Sequence, residues 1–401
     1  MYIYYVIVFF AFLLLYSIIG KKWGISTFLI AVYLITLLVA LLITNIFRFY
    51  TESKEASIVF STALFLFFLP YLRRAPTIKP LTNSATIKKA VSSGYFVSCV
   101  LLFLSVLILP AIVQSFRVGA NDIRMGYYTY HGNFITATAI HFIDIISPIS
   151  YSLLTLSFYM FSFFDGYNKE KKIIFIASLA APYYGILSGG RTQMIYWLLS
   201  LIFNYMLFRS YLPKQGKKQL IKFVSVVFVF IFIYFIRSTI DRFANSSLGT
   251  NDSLLLYMGQ PYLNFCYFYE DFHRTASITL SRIFPLTDSI FNGVFDLQAY
   301  RDAMYSASGM DIGVFYTLLG DLFVDIGLNG MYIYAFIYMV LAFTVTRKKQ
   351  IYLSDVLILG LLYLIPLQGV FYYSFWKRQV TFCALIVLIF TFFIKEKKTI
   401  E

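Results

Sequence analysis

The sequence predicts an all-α integral membrane protein of about eleven transmembrane helices, N-terminus out and C-terminus in, with one long loop on the outer face. Three observations predict it. Of 401 residues 60% are hydrophobic and only 13% are charged, and mean hydropathy is +0.75. No soluble interior is large enough to hide that much apolar surface. The apolar residues also come in runs of the length a helix needs to cross about 30 Å of hydrocarbon. The basic residues, finally, sit in short loops between the runs and alternate in number from one side to the other.

In chain order the expected spans lie near residues 2–20, 25–47, 57–72, 93–116, 143–164, 173–188, 192–211, 222–240, 326–346, 351–368 and 379–394. The first carries no basic n-region and no small-residue cleavage site, so it reads as a retained span and not as a signal peptide. With the N-terminus outside, 21 of the 33 basic residues fall inside, in the loops around Lys21, Arg73 to Lys89, Lys169 to Lys172, Arg209 to Lys222, Arg347 to Lys349 and Lys395 to Lys398. That excess in short loops sets the orientation. The net charge of +14 is therefore a topological signal, not a nucleic-acid face. Residue type is sorted as well: 17 of the 21 inside residues are lysine, and 10 of the 12 outside are arginine. The positive-inside rule treats the two alike and leaves this split unexplained. Cys99, Cys266 and Cys383 are scattered, and neither a disulfide framework nor a metal site follows from them.

The chain reads as a single polytopic domain, residues 1–401, in which residues 241–325 form the large extracytoplasmic loop between spans 8 and 9. A loop that long is usually functional or disordered, and this one is not disordered in composition. Its apolar stretches, 262–269 and 278–291, predict short helices on the membrane surface. A second outer segment, 117–142, carries Arg117, Asp122, Arg124, His131 and a tyrosine cluster, Tyr127, Tyr128 and Tyr130. No internal repeat is visible.

Four stretches carry candidate chemistry. In Ser188-Gly189-Gly190-Arg191 two glycines make a tight outer turn and Arg191 opens the next helix. Backbone N–H groups and the helix dipole favour an anion there, and a guanidinium adds a fork of donors suited to phosphate. The competing reading is an arginine that snorkels to lipid headgroups. Arg237-Ser238-Thr239-Ile240-Asp241-Arg242 closes the eighth span, and Arg237 and Asp241 are spaced for an i,i+4 pair. Glu270-Asp271-Phe272-His273-Arg274 sets carboxylates beside an imidazole, the makings of a general base, against the alternative of a solvated loop. Asp321 and Asp325, one helical turn apart and bounded by Gly320 and Gly327, enter the ninth span. Acids at a membrane entry serve either a site or the cap of a helix. Arg282, Arg301, Lys377 and Arg378 complete the basic set, each taken singly a headgroup anchor; Asp144 and His141 read either as a pair at the start of the fifth span or as an interfacial helix start. The sequence has no GxxxxGK[ST], HExxH or GxSxG motif and no outer DxD pair, so neither ATP nor a metal cofactor is expected.

The Gly189-Gly190-Arg191 turn before an apolar helix, and Gly320-Asp321-Leu322-Phe323-Val324-Asp325-Ile326-Gly327 entering the span after the long loop, resemble the bacterial O-antigen polymerase family. The architecture resembles it over most of the chain, which implies a GT-C-like fold in the bacterial plasma membrane. The resemblance implies polymerisation of undecaprenyl-pyrophosphate-linked oligosaccharide repeat units at the outer face, without a nucleotide sugar. It also implies a chain-length regulator and a flippase as partners. Arg191, with Gly189 and Gly190 and with Arg237, Arg242 and Arg282, would hold the pyrophosphate leaving group. The base would be one of Asp321, Asp325, Glu270, Asp271 and His273. The alternatives are an O-antigen ligase using the same donor, a lipid-linked oligosaccharide flippase or other transporter, and a scaffold whose arginines only bind headgroups.

Overall fold

The computed structural model describes residues 2–20, 24–46, 53–118, 133–243, 249–272, 297–310, 312, 314–373 and 377–394. Among these the protein is all-α apart from one two-residue strand pair. Its helices are α1 (Tyr2–Ile19), α2 (Gly24–Ile46), α3 (Lys54–Phe68), α4 (Ser84–Leu107), α5 (Leu109–Val118), α6 (Phe134–Ile146), α7 (Ile149–Phe163) and α8 (Asn168–Ala177). They continue with α9 (Ala180–Leu187), α10 (Thr192–Phe208), α11 (Lys214–Phe243), α12 (Gly249–Asp271), α13 (Leu297–Ser308), α14 (Thr317–Thr346), α15 (Leu353–Gln368) and α16 (Arg378–Phe393). Strands β1 (Thr77–Ile78) and β2 (Gln350–Ile351) pair in parallel.

Among the described residues six helical stretches are long and apolar enough to cross a membrane: Tyr2–Ile19, Gly24–Thr44, Lys54–Tyr71, Ser84–Leu107, Lys214–Asp241 and Thr317–Thr346. A seventh crossing results if α6 and α7, bent by 63° at their junction, count as one. The protein is thus a multi-pass helical membrane protein. Several expected spans are interrupted, and proline explains the interruptions: it lacks the N–H a helix needs and clashes with the carbonyl four residues before. Pro110 stands at the α4–α5 break and Pro148 at the α6–α7 bend. Pro182 lies in the first turn of α9, just after the break that divides the expected span 173–188. Helices α10, α15 and α16 are apolar but shorter than 18 residues. The segment expected as the outer loop holds α12 and α13, and α11 and α14 run into it from either side.

The chain divides into two compact units. The first comprises Met1–Pro76, Leu254–Lys349 and Leu361–Thr381. Its core is aromatic: Phe10, Tyr33, Phe60, Phe67, Phe68 and Tyr71 are at most 1% exposed. Buried phenols are satisfied locally. Tyr33 donates to the Pro366 carbonyl at 2.8 Å and Tyr363 to the Ile25 carbonyl at 2.6 Å. Tyr338 bonds Tyr71 at 2.6 Å and donates to the Leu362 carbonyl at 3.0 Å. Where hydrocarbon replaces water such pairing is required, because an orphaned hydroxyl is costly.

The second unit comprises Thr77–Ser253, Gln350–Gly360 and Phe382–Glu401. Its core centres on α7, where every residue from Ile149 to Phe161 except Ser152 is buried. Trp197 of α10 is fully buried and donates from Nε1 to the Ser178 hydroxyl at 3.2 Å.

Candidate functional site

Both units carry sequence-predicted residues, and each group forms its own cluster.

In the second unit the cluster is built on the α9–α10 turn. Ser188 ends α9, Gly189 follows with φ of 59°, and its N–H bonds the Ile186 carbonyl at 3.1 Å. The Gly190 N–H bonds the Gly185 carbonyl, also at 3.1 Å. This 6→1 and 5→2 pairing is a Schellman motif, and its left-handed residue is the reason for a glycine at 189. The motif delivers Arg191 to the N-cap of α10, where its side chain does not cap the helix. The guanidinium folds inward instead, and the residue is only 3% exposed. Nη1 donates to Thr239 Oγ1 of α11 at 2.6 Å, and the group lies over the Phe235 ring at 5.5 Å. A snorkelling side chain would reach water, so the headgroup reading of Arg191 does not hold.

Arg237, two residues from each of Arg191's partners on α11, is paired with Asp241 at 3.9 Å. Its Nη2 donates to the Phe116 carbonyl at 2.7 Å, and its guanidinium stands 5.7 Å from the Phe116 ring. Tyr234 lies within the electrostatic reach of Arg191, Arg237 and Asp241, which brings two arginines and one carboxylate into one neighbourhood. Tyr184 of α9 is hydrogen-bonded to Asp144 of α6, while His141 is exposed. The side chain of Arg242, and the whole of His131, lie outside the described residues.

In the first unit the cluster is built on α14, which breaks at Gly327 with φ of 72° and ψ of −179°. Asp321 and Asp325 lie in the half-helix before the break and are 1% and 0% exposed. They are interior residues: the N-cap is Tyr316 and the first turn holds no acid. The capping reading of these aspartates is therefore corrected, because the helix begins at Thr317 and not near residue 326. The strand-like stretch after α15 docks on this helix start, with Thr317 N–H bonding the Phe371 carbonyl at 2.9 Å and Leu318 N–H the Gly369 carbonyl at 2.8 Å. Docking brings the Tyr373 N–H to Asp321 Oδ2 at 2.6 Å, and the Tyr373 hydroxyl bonds that of Tyr334 at 2.9 Å. Burial, then Tyr334 and the two aspartates, hold the Tyr373 phenol well above the usual tyrosine value. Asp321 and Asp325 are thus two buried carboxylates one helical turn apart on α14, the first of them held by a backbone N–H.

Glu270 and Asp271 end α12 and are both exposed. Glu270 Oε1 accepts from the Ser53 hydroxyl, whose oxygen in turn accepts from Ala56 N–H at 3.1 Å as the N-cap of α3. Phe272 turns into a buried cluster with Phe268, Met304, Met310, Ile312 and Tyr316. His273 and Arg282 lie outside the described residues, and with His273 goes the proposed carboxylate–imidazole pairing.

Thr239, Phe235, Tyr373, Tyr334 and Ser53 were not among the sequence candidates. The i,i+2 spacing of Arg237 and Thr239 was visible, but nothing in it points to Arg191. Among the described residues no group of three or more His, Cys, Asp or Glu is placed to hold a metal ion. No family model matches the chain, and no curated protein or solved structure is significantly similar to it.

Proposed function

We propose that the protein polymerises oligosaccharide repeat units carried on a polyprenyl pyrophosphate, at the outer face of a bacterial plasma membrane that it crosses eleven times with its N-terminus out. The observation that carries this reading is the burial of Arg191 at the start of α10. A helix start needs a Ser, Thr, Asn or Asp, not a cation, and a guanidinium in a membrane protein's interior is expensive unless a function retains it. Pyrophosphate is the leaving group whose charge such a fork of donors offsets.

In the proposed reaction a hydroxyl of the acceptor saccharide attacks the anomeric carbon of the donor, and the bond from that carbon to the pyrophosphate oxygen breaks. The electron pair leaves on the pyrophosphate, beside Arg191 with Arg237, Arg242 and Arg282 as helpers. The hydroxyl proton passes to a carboxylate. The candidates for that role are Asp321 and Asp325, buried on α14, and Glu270 and Asp271, exposed at the end of α12, with His273 beside them in sequence. Charge balances without a metal or a nucleotide.

The test is complementation of a deletion strain with Arg191→Ala and Arg191→Lys, reading surface-polysaccharide length on a gel. Lysine keeps the charge but loses the fork, so both variants should lose long chains. Single repeat units still attached to their acceptor would mark a polymerase defect; their disappearance would mark a ligase. Undiminished long chains in both variants would sink the assignment of Arg191.

A further inference from the structure

In the first unit, a cavity of about 540 Å³ opens between α1 and α3. From α1 it is lined by Tyr2, Tyr5, Val6 and Phe9, a spacing that places all four on one helical face. From α3 it is lined by Lys54, Ser57, Ile58, Ser61 and Thr62, again one face. The Phe9 ring stands 6.2 Å from that of Phe65 and the Phe10 ring 6.4 Å from that of Phe60, so the Phe9 end of the cavity lies against the second half of α3 and Lys54, at the start of α3, lies toward the other end. The chemistry is layered along that length. The exposed ammonium of Lys54 stands toward one end, hydroxyls follow at Ser57 and Ser61, and the Phe9 ring lies toward the other. The hydroxyl wall is held in place: Ser57 Oγ bonds the Tyr262 hydroxyl at 2.8 Å, and Thr62 Oγ1 bonds that of Tyr332 at 2.6 Å. Glu55 and Glu270, the nearby carboxylates, do not line it, and Glu270 is engaged by Ser53. Tyr5 and Ile58, 65% and 54% exposed, leave its side open to the bilayer.

We infer that this cavity binds an anionic glycerophospholipid, phosphate at Lys54, the first chain segment against Val6 and Phe9, and the glycerol region passing Ser57 and Ser61, whose hydroxyl protons are held by the Ser53 and Ser57 carbonyls at 2.6 and 2.9 Å. Cation, hydroxyl and apolar layers follow one another in the order such a lipid presents phosphate, ester and chain. The inference needs no turnover and so stands or falls apart from the proposed polymerase activity.

The experiment is native mass spectrometry of the full-length protein in detergent, titrated with phosphatidylglycerol, phosphatidylcholine and a polyprenyl pyrophosphate. One phosphatidylglycerol should be retained in preference to phosphatidylcholine. Lys54→Gln, at an exposed position that does not threaten the fold, should weaken it about fivefold, and Lys54→Arg should restore it. Ser61→Phe, which fills the cavity and keeps the charge, should displace both phospholipids. Phosphatidylglycerol binding unchanged in Lys54→Gln and Ser61→Phe would overturn the inference. So would a polyprenyl pyrophosphate that outcompetes phosphatidylglycerol at the Lys54-dependent site.

Discussion

Arg191 and Thr239, 48 residues apart in sequence, are joined by a hydrogen bond of 2.6 Å from Nη1 to Oγ1. Thr239 gives its own proton to the Phe235 carbonyl at 2.6 Å, so its hydroxyl is oriented with a lone pair toward the guanidinium. One threonine thus fixes the direction of a buried cation while the Phe235 ring supports its flat face.

Thr239→Val keeps the volume and removes that acceptor. A hydrogen bond to a charged group is worth about 1.5–3 kcal/mol, so transfer should slow about tenfold or more if Arg191 must be held in place for the leaving group. Thr239→Ser keeps the acceptor and should retain most activity. Initial rates in membranes supplied with a lipid-linked repeat unit would decide; equal rates for valine and wild type would remove Thr239 from the argument.

Asp321 makes a different distinction. Asp321→Asn keeps an acceptor for the Tyr373 N–H and removes the charge, whereas Asp321→Ala leaves that buried N–H unmet. The alanine variant should lose about 1–3 kcal/mol of stability and the asparagine variant much less. As a base, the residue should be needed in both cases, so polymer should vanish in asparagine and alanine alike. A stable, active Asp321→Asn would leave the aspartate with a purely structural role.

How far the residues could be read in advance depended on the range of the interaction. The Gly189-Gly190 turn and the Arg237–Asp241 pair were legible because both are set by neighbours within six residues. The grip of Thr239 on Arg191 and of Tyr373 on Asp321 was not, because each joins segments about fifty residues apart whose packing no local pattern encodes. The broken spans at Pro110, Pro148 and Pro182 show a second limit. Their apolar runs continue through the proline, and hydropathy is blind to a missing N–H. At Asp321 the apolar run misled in the opposite sense: α14 begins nine residues ahead of the span expected at 326, which turned acids expected at a helix end into interior ones.

Gly327 holds the break that follows those acids. With φ of 72° and ψ of −179° it occupies a region open essentially to glycine alone. Gly327→Ala should therefore cost about 1–3 kcal/mol, or straighten α14 and move Asp321 and Asp325 relative to Tyr373. Thermal unfolding in detergent reads the first outcome, and loss of polymer with unchanged melting reads the second. A variant equal to wild type in both would show that the break is not required.

Lys171 supplies a test by pH. It is buried in α8, where Nζ donates to the Phe164 carbonyl. Burial lowers its proton affinity below the ordinary value of 10.5, and Asp165 opposes part of that shift. The unfolded chain therefore binds the proton more tightly than the folded one, and stability must rise with pH wherever the two states differ in protonation. That window runs from the folded value, below 10.5, up to 10.5; beneath it the charged ammonium is a standing cost. Lys171→Met removes the titrating group and keeps most of the apolar stem. Melting temperatures of wild type and variant, measured from neutral to alkaline pH, should show the wild type gaining on the variant as pH rises through that window. Parallel curves would mean that the Phe164 carbonyl and Asp165 together offset the burial of the ammonium in full.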